Sequence, residues 1–165
     1  MAVPRIQKVV VNVGIGKLVK ENDKIEEIVT ALTAITGQKP VKTKAKKAIS
    51  GFKIREGMVV GMSVTLRKKR MYDFLDKLIH VALPRVRDFR GLDSKAVDKQ
   101  GNLSIGFREN LAFPEIRSDE IENTHGLEVT IATDARDKDK GLALFTLLGF
   151  PFKKPEKKPG KAAGK

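Results

Sequence analysis

Apolar and polar residues alternate with a period of two in four segments of the chain, a pattern typical of strands that bury one face and expose the other. The clearest segment runs from Met58 to Arg67, where every second residue is Met, Val or Leu. The other three are residues 5–13, 103–108 and 127–131. In residues 5–13 the alternation predicts Val9, Val11 and Val13 on the core side, with Ile6 and Asn12 opposite. A fifth candidate strand, Pro40 to Lys46, alternates small or apolar residues with lysines.

Three segments between these strands repeat apolar residues at helical spacing. The first ends at Gly37. The second begins at Met71 and is predicted to end at Pro84, because proline lacks the amide hydrogen that a helix interior requires. The third spans about residues 138–148 and is predicted to bury apolar side chains as far as Leu148. The pattern predicts an α+β fold, in which helices pack on one face of a mostly antiparallel sheet and the other face stays open, polar and basic.

Length and composition predict one compact domain followed by a tail. A chain of 165 residues buries about 70% of the surface that its unfolded form exposes, which suffices for a core without disulfides or metals. We expect a single domain over residues 1–152 and a disordered tail over 153–165, which is rich in Lys, Pro, Gly and Ala. The sequence shows no signal-peptide pattern and no apolar run of membrane-spanning length, so we expect a cytoplasmic location.

Positive charge is concentrated between Lys39 and Arg70, a segment that we call the basic strip. It carries eleven Lys or Arg residues and one acidic residue, Glu56, in a chain of net charge +13. Because self-repulsion on this scale opposes compaction, we interpret the strip as a surface for a polyanion. Lys and Arg interspersed with Gln, Thr, Ser and an aromatic residue favour structured RNA. The alternative is a solvated surface without a ligand, but such surfaces usually mix lysines with acids.

Three other motifs raise enzymatic or metal-binding alternatives. Residues 14–17, Gly-Ile-Gly-Lys, resemble the start of a phosphate-binding loop and keep a nucleotide-dependent enzyme as an alternative, although no complete glycine motif follows. His80 and His125 are the two histidines of the chain, and it contains no cysteine that could bind a metal together with them. A structural role is therefore favoured for both histidines over metal binding or catalysis. The acidic residues within 115–122 lack a nearby nucleophile, which favours a solvated or partner-facing loop. We expect no catalytic residue, metal or cofactor.

The segment Gly51 to Gly57 has a glycine at each end and follows the lysine-rich strand, which predicts a flexible loop. Phe52, Lys53 and Arg55 are expected to project from it. A phenylalanine between basic residues suits stacking on a base or ribose. Burial of Phe52 in the core is an equally favoured alternative at this point.

Eight short motifs follow one another between about Val3 and Lys154. They read NVGIG at 12–16, TGQKP at 36–40, TKAKK at 43–47, GFKIREG at 51–57, VTLR at 64–67, DFRGL at 88–92, FPEI at 113–116 and GFPF at 149–152. Together they resemble the family of large ribosomal subunit protein five in its bacterial form, whose members bind 5S rRNA in the central protuberance. Several motifs of this length in order make the resemblance specific.

The resemblance implies a non-enzymatic constituent of the large ribosomal subunit that attaches 5S rRNA in the central protuberance. The residues that it assigns to 5S rRNA binding are Asn12, Gln38, Phe52 and Thr65. Further phosphate contacts are expected from the basic strip, at Lys39, Lys42, Lys44, Lys46, Lys47 and Arg67. The implied partners are 5S rRNA, large-subunit rRNA and neighbouring large-subunit proteins.

The resemblance implies two further contacts. The loop of residues 48–57 approaches P-site tRNA through Gly51, Phe52, Lys53, Arg55 and Gly57. The region that contains Asp88, Arg90, Glu115 and Arg117 helps to bridge to a protein of the small-subunit head. Residues 112–150 carry eight acidic and four basic residues, a balance that permits contact with a basic protein. A free RNA chaperone that uses the basic strip without a fixed partner is a further alternative.

Overall fold

A computed structural model describes residues 3–16, 22–116 and 125–153. Its strands are β1 (Ile6–Gly14), β2 (Val41–Lys44), β3 (Val59–Leu66), β4 (Leu103–Phe107) and β5 (Leu127–Thr133). Its α-helices are α1 (Asn22–Thr36), α2 (Lys68–Lys77), α3 (Leu83–Arg85) and α4 (Lys138–Leu147). The strands form one sheet in the order β2-β3-β1-β5-β4, and every neighbouring pair is antiparallel. The predicted α+β fold is confirmed.

The central strand β1 separates a buried face of the sheet from an exposed one. Val9, Val11 and Val13 are fully buried and pair in register with Leu66, Val64 and Met62 of β3. Apolar side chains of the helices join this core, among them Ile28 and Leu32 of α1 and Met71 and Phe74 of α2. Burial of apolar surface at about 25 cal/mol per Å² stabilises this layer and fixes which side of each strand faces water.

The opposite side of the sheet, which we call the open face, carries exposed or half-buried residues in every strand. These residues are Val41 and Thr43 in β2, Ser63 and Thr65 in β3, Lys8, Val10 and Asn12 in β1, Glu128 and Thr130 in β5, and Ser104 and Gly106 in β4. The side chains are mostly small and polar. This face is therefore available to a ligand.

The prediction for Ile6 is wrong, because this residue is buried rather than on the side of Asn12. The pairing of β1 with β5 shifts register between Ile6 and Lys8, and such an irregularity turns the residues before it to the other side of the strand. The alternation beyond Lys8 follows the prediction.

The predicted ends of two helices also differ from the structure. Pro84 does not end the second helix, because α2 continues through a π-helical turn, Leu78–Ala82, into α3. Pro84 lies in this continuous helix directly after the π-helical turn, and the helix ends one residue later at Arg85. Leu148 lies one residue beyond α4 and is 38% exposed, whereas Phe145 is fully buried.

A turn at residues 98–102 precedes β4 and is organised by Asp98. The Asp98 carboxylate accepts hydrogen bonds from the backbone N–H groups of Gln100 and Asn102 and from the Asn102 side chain, at 2.8 to 2.9 Å. Burial acts to raise the pKa of Asp98, but these hydrogen bonds and one from Gly101 outweigh it and place the pKa below its ordinary value. Asp98 therefore holds the turn in its ionised form.

Helix α4 packs against this turn through two glycines. A Cβ atom on Gly141 would lie 2.5 Å from the Cα atom and 2.6 Å from the carbonyl oxygen of Gly101. Gly101 itself has a φ of +83° and leaves no room for a side chain, since its own Cβ would lie 2.7 Å from the carbonyl oxygen of Asp137. The two backbones approach as closely as they do because neither residue has a side chain.

We predict that Gly141→Ala lowers the free energy of unfolding by about 1–3 kcal/mol. The added methyl group would overlap the backbone atoms of Gly101, so the helix or the turn would have to shift. The matched control is Gly106→Ala, since a Cβ at Gly106 meets nothing within 4 Å. The control should leave stability within about 0.5 kcal/mol or raise it. Chemical denaturation measures both. A Gly141→Ala protein that is more stable than the wild type would contradict the packing of α4 on the turn.

Candidate nucleic-acid interface

Two of the four residues assigned to RNA binding, Asn12 and Thr65, lie on the open face, and a third, Gln38, contacts the backbone of β3. Asn12 pairs in register with Ser63, and Thr65 lies two residues further along β3 on the same side. Gln38 reaches this end of the strand, where its side-chain Nε2 donates to the carbonyl oxygen of Thr65 at 3.4 Å. Asn12 and Thr65 are exposed and Gln38 is half-buried. Amide and hydroxyl groups in this arrangement can both donate and accept hydrogen bonds.

The end of α1 positions Gln38. Gly37 follows the helix with a φ of +68°, which glycine adopts without strain. The buried Thr36 hydroxyl donates to the carbonyl oxygen of Leu32 at 2.6 Å and accepts from the Gln38 N–H at 3.3 Å. The turn thus directs the chain from the helical layer to the edge of β3.

Lys77 holds the same helix end from the neighbouring helix. Its Nζ atom donates to the carbonyl oxygen of Ile35 at 2.6 Å and to the carboxylate of Glu115. It also lies 5.9 Å from the centre of the Phe74 ring. A lysine that donates to a carbonyl in the last turn of a helix satisfies a group that has no partner within the helix. Lys77 has no sequence signal, because the helical pattern reveals its neighbours in α2 but not its partners Ile35 and Glu115.

The basic strip lies along one edge of the sheet and around its ends. All eleven of its Lys and Arg side chains are exposed, and among the described residues none forms an ion pair with a carboxylate. Lys42 and Lys44 belong to β2, which is an edge strand. Lys39 precedes β2, Lys46 and Lys47 follow it, and Arg67 follows β3. These cations are free to contact phosphates.

Phe52 lies apart from the other three assigned residues, in the loop that connects β2 and β3. It is 76% exposed, so the alternative that placed it in the core is wrong. The loop is more ordered than its glycines suggested, since Ile49 and Ile54 exchange two backbone hydrogen bonds at 2.9 and 3.1 Å. Gly57 has a φ of +84°, but Gly51 has no positive φ and the left-handed position at the tip belongs to Lys53. Phe52, Lys53 and Arg55 are all exposed.

The residues assigned to a subunit bridge do not form one described cluster. Asp88 and Arg90 are exposed, and Asp88 has a φ of 55°. Glu115 pairs with Lys77, so its carboxylate already has a partner within the chain. Arg117 lies outside the described residues, as do the acidic residues at 119, 120 and 122.

The glycine motif at residues 14–17 does not form a loop in its described part. Gly14 pairs with Gly61 in the sheet, and the N–H of Ile15 donates to the carbonyl oxygen of Val60 at 3.0 Å. Gly16 has no positive φ, and Lys17 lies outside the described residues. The strand therefore continues through the first glycine, whereas a phosphate-binding loop requires the backbone to leave the sheet there.

The two histidines occupy different environments. His80 is mostly exposed and lies 3.4 Å from the Asp76 carboxylate. His125 is half-buried beside the Asn110 side chain, at 3.3 Å. Within the parts of the chain that the structure describes, no group of three or more His, Asp or Glu residues could hold a metal ion, and no helix has the length and apolar character that crossing a membrane requires.

Comparisons with known proteins match nearly the whole chain. A family model described as "Ribosomal protein L5" matches residues 1–55, and a second model, for the C-terminus of the same ribosomal family, matches residues 59–152. Curated relatives named "Large ribosomal subunit protein uL5" include those of Desulfatibacillum aliphaticivorans at 54% identity, Colwellia psychrerythraea at 50% and Leuconostoc citreum at 52%. Each alignment covers 93% of this chain and 85% or 86% of the relative.

We predict that Lys77→Ala lowers the free energy of unfolding by about 1–2 kcal/mol, because it leaves the Ile35 carbonyl without its donor and breaks the pair with Glu115. Lys69→Ala is the matched control, since Lys69 is an exposed lysine of the same helix and should change stability by less than about 0.5 kcal/mol. Thermal or chemical denaturation compares the two variants. Equal stability of both would show that Lys77 does not support the end of α1.

Proposed function

The chain belongs to the ribosomal protein L5 family, and we propose that it is a non-enzymatic constituent of the large ribosomal subunit that binds 5S rRNA and attaches it in the central protuberance. In this role it works bound to the ribosome in the cytoplasm, beside large-subunit rRNA and neighbouring large-subunit proteins. The strands of both segments matched by the family models interleave in one sheet. We therefore propose one RNA-binding domain through residue 152, with the lysine-rich tail beyond it.

The observation that supports this proposal most strongly is the open face beside an unpaired basic edge. Asn12 and Thr65 supply hydrogen-bonding groups on the face, and Gln38 supplies a further one at the backbone of Thr65. The lysines of β2 and its flanks, Lys39, Lys42, Lys44, Lys46 and Lys47, lie along the adjoining edge and are joined by Arg67. Phosphate contacts hold an RNA in place and hydrogen bonds to its bases and sugars identify it. A free RNA chaperone requires only the first kind of contact.

The β2–β3 loop is proposed to contact P-site tRNA. Phe52, Lys53 and Arg55 are exposed in a hydrogen-bonded loop between β2 and β3. A contact that tolerates every tRNA must rely on charge and shape, which two cations and an exposed aromatic ring supply. The family resemblance also assigns Phe52 to 5S rRNA binding. This residue therefore has two candidate ligands, 5S rRNA and P-site tRNA.

A bridge to a protein of the small-subunit head is proposed for the region of Asp88, Arg90, Glu115 and Arg117. Asp88 and Arg90 are exposed on the segment that follows α3. Because Glu115 pairs with Lys77, we assign it the role of fixing the start of the acidic segment rather than of meeting the partner directly. The acidic balance of residues 112–150 suits a basic partner.

The first test of this function compares 5S rRNA with an unrelated RNA duplex of equal length. Thr65→Ala and Gln38→Ala should each weaken binding to 5S rRNA by about fivefold or more, because each removes hydrogen bonds of about 1 kcal/mol. Binding to the unrelated duplex should change little, since phosphate contacts remain. Equilibrium binding at one fixed salt concentration measures both.

Thr146→Ala and Gln100→Ala are the matched controls, since both residues are exposed and neither belongs to the open face. Neither control should change the affinity of the protein for either RNA. Equal losses on both RNAs for Thr65→Ala and Gln38→Ala would contradict specific recognition and favour the chaperone alternative. Saturable binding of a nucleotide to the purified protein would instead favour the enzyme alternative.

The second test concerns the loop. Ribosomes that carry Lys53→Ala together with Arg55→Ala should retain 5S rRNA but release P-site tRNA faster, by similar factors for different tRNAs. Folding should be nearly unaffected, because exposed charges typically change stability by less than about 0.5 kcal/mol. Lys138→Ala with Lys140→Ala removes the same charge from α4 and should leave release unchanged.

Measurement of tRNA dissociation from these ribosomes decides between the roles of the loop. Loss of 5S rRNA from the Lys53→Ala and Arg55→Ala subunits would place the loop in the anchoring site. Unchanged release of every tRNA would leave Phe52, Lys53 and Arg55 with a structural role alone.

A further inference from the structure

A second concentration of unpaired positive charge lies at the opposite edge of the sheet from the basic strip. A cleft of about 710 Å³ opens between the segment after α3 and the end of β4. Its rim carries Arg85, Arg87 and Arg108, and its floor includes Val86, Phe107 and Ala112. We call it the arginine cleft. None of the three arginines belongs to the basic strip or to the open face.

The three guanidinium groups of the arginine cleft have no ionic partner in the chain as described. All three arginines are exposed, and within residues 3–16, 22–116 and 125–153 no carboxylate pairs with them. Asp88 and Glu109 line the same cleft, yet neither forms an ion pair with these arginines. The three cations outnumber the two carboxylates in the lining, so the cleft favours an anionic ligand. Guanidinium groups bind phosphate through two parallel hydrogen bonds, which suits them to this ligand.

The arginine cleft is continuous with the open face. Gly106 lines the cleft and also belongs to a row across the sheet with Glu128, Asn12 and Ser63. Arg108 directly follows β4. It comes two residues after Gly106, so the alternation of the strand places both residues on the same side of the sheet. A side-chain atom on Gly106 would meet nothing within 4 Å, so the described chain leaves the space beside this residue open.

The width of the sheet separates the two basic edges. Edge strands β2 and β4 lie about 19 Å apart, since neighbouring strands are about 4.8 Å apart. Between them the face is polar and weakly charged. An RNA that lies across it would therefore meet cations at both sides of its contact surface, whereas an RNA that bound only the basic strip would leave the far edge of the face in water.

We propose that the arginine cleft binds backbone phosphates of the RNA held on the open face, and so holds that RNA from the second edge of the sheet. This inference rests on the proposed function. An acidic protein partner is the other class of ligand that such a cleft could take. RNA is favoured by the continuity of the cleft with the open face and by the match of guanidinium groups to phosphate.

The test measures how the affinity for 5S rRNA depends on salt. Arg87→Ala together with Arg108→Ala should weaken binding roughly tenfold and reduce the steepness of log K against log[salt] by about 1.4–1.8, because each lost phosphate contact contributes about 0.7–0.9. Arg87→Lys together with Arg108→Lys keeps both charges and should restore the slope. Lys95→Ala together with Lys99→Ala removes two exposed charges outside the cleft and should leave the slope unchanged. Circular dichroism and thermal denaturation establish that each variant is folded.

The outcomes separate this inference from the function on which it rests. Wild-type protein that does not bind 5S rRNA would contradict the proposed function. Wild-type binding with an unchanged slope and affinity in the folded Arg87→Ala, Arg108→Ala protein would overturn the arginine cleft alone. If that protein keeps the wild-type slope but large subunits that carry it join small subunits more weakly, the cleft faces a protein and the inference is also overturned.

Discussion

The pairing register of β1 determines which side of the sheet is left open for RNA. This strand pairs on both sides, with β3 and with β5, and its buried valines fix that register because a shift by one residue would place them in water and Asn12 in the core. The helices cover only the side on which those valines lie. The opposite side is consequently left as a polar surface, whose composition the core does not constrain.

The same arrangement keeps the cations away from the acids that would neutralise them. The basic strip and the arginine cleft lie at opposite edges of the sheet, and neither is paired with carboxylates in the described chain. Unneutralised charge of this kind opposes folding, so a polyanion that binds it also stabilises the fold. Lys77 shows the contrasting case, since its charge is used within the protein to fix the end of α1 beside Gln38.

The sequence was sufficient for features that depend on periodicity and insufficient for those that depend on contacts between distant segments. Alternation correctly placed Asn12 and Thr65 on one polar face, because a buried strand must alternate. It failed at Ile6, where a register shift interrupts the period. Residue type alone could not settle the exposure of Phe52, since an aromatic side chain suits either a core or a ligand. The arginine cleft has no sequence signal, because only the fold brings its two separate segments together.

RNA that occupies the open face should shield the lysines of that face from chemical modification. Lys8 lies on that face in the middle of the sheet, whereas Lys138 and Lys140 lie on α4. Acetylation of the protein with and without 5S rRNA, quantified by mass spectrometry, should show strong protection of Lys8 and of Lys44 in β2, and none on α4. Protection of Lys138 and Lys140 with unchanged labelling of Lys8 would show that the RNA binds away from the open face.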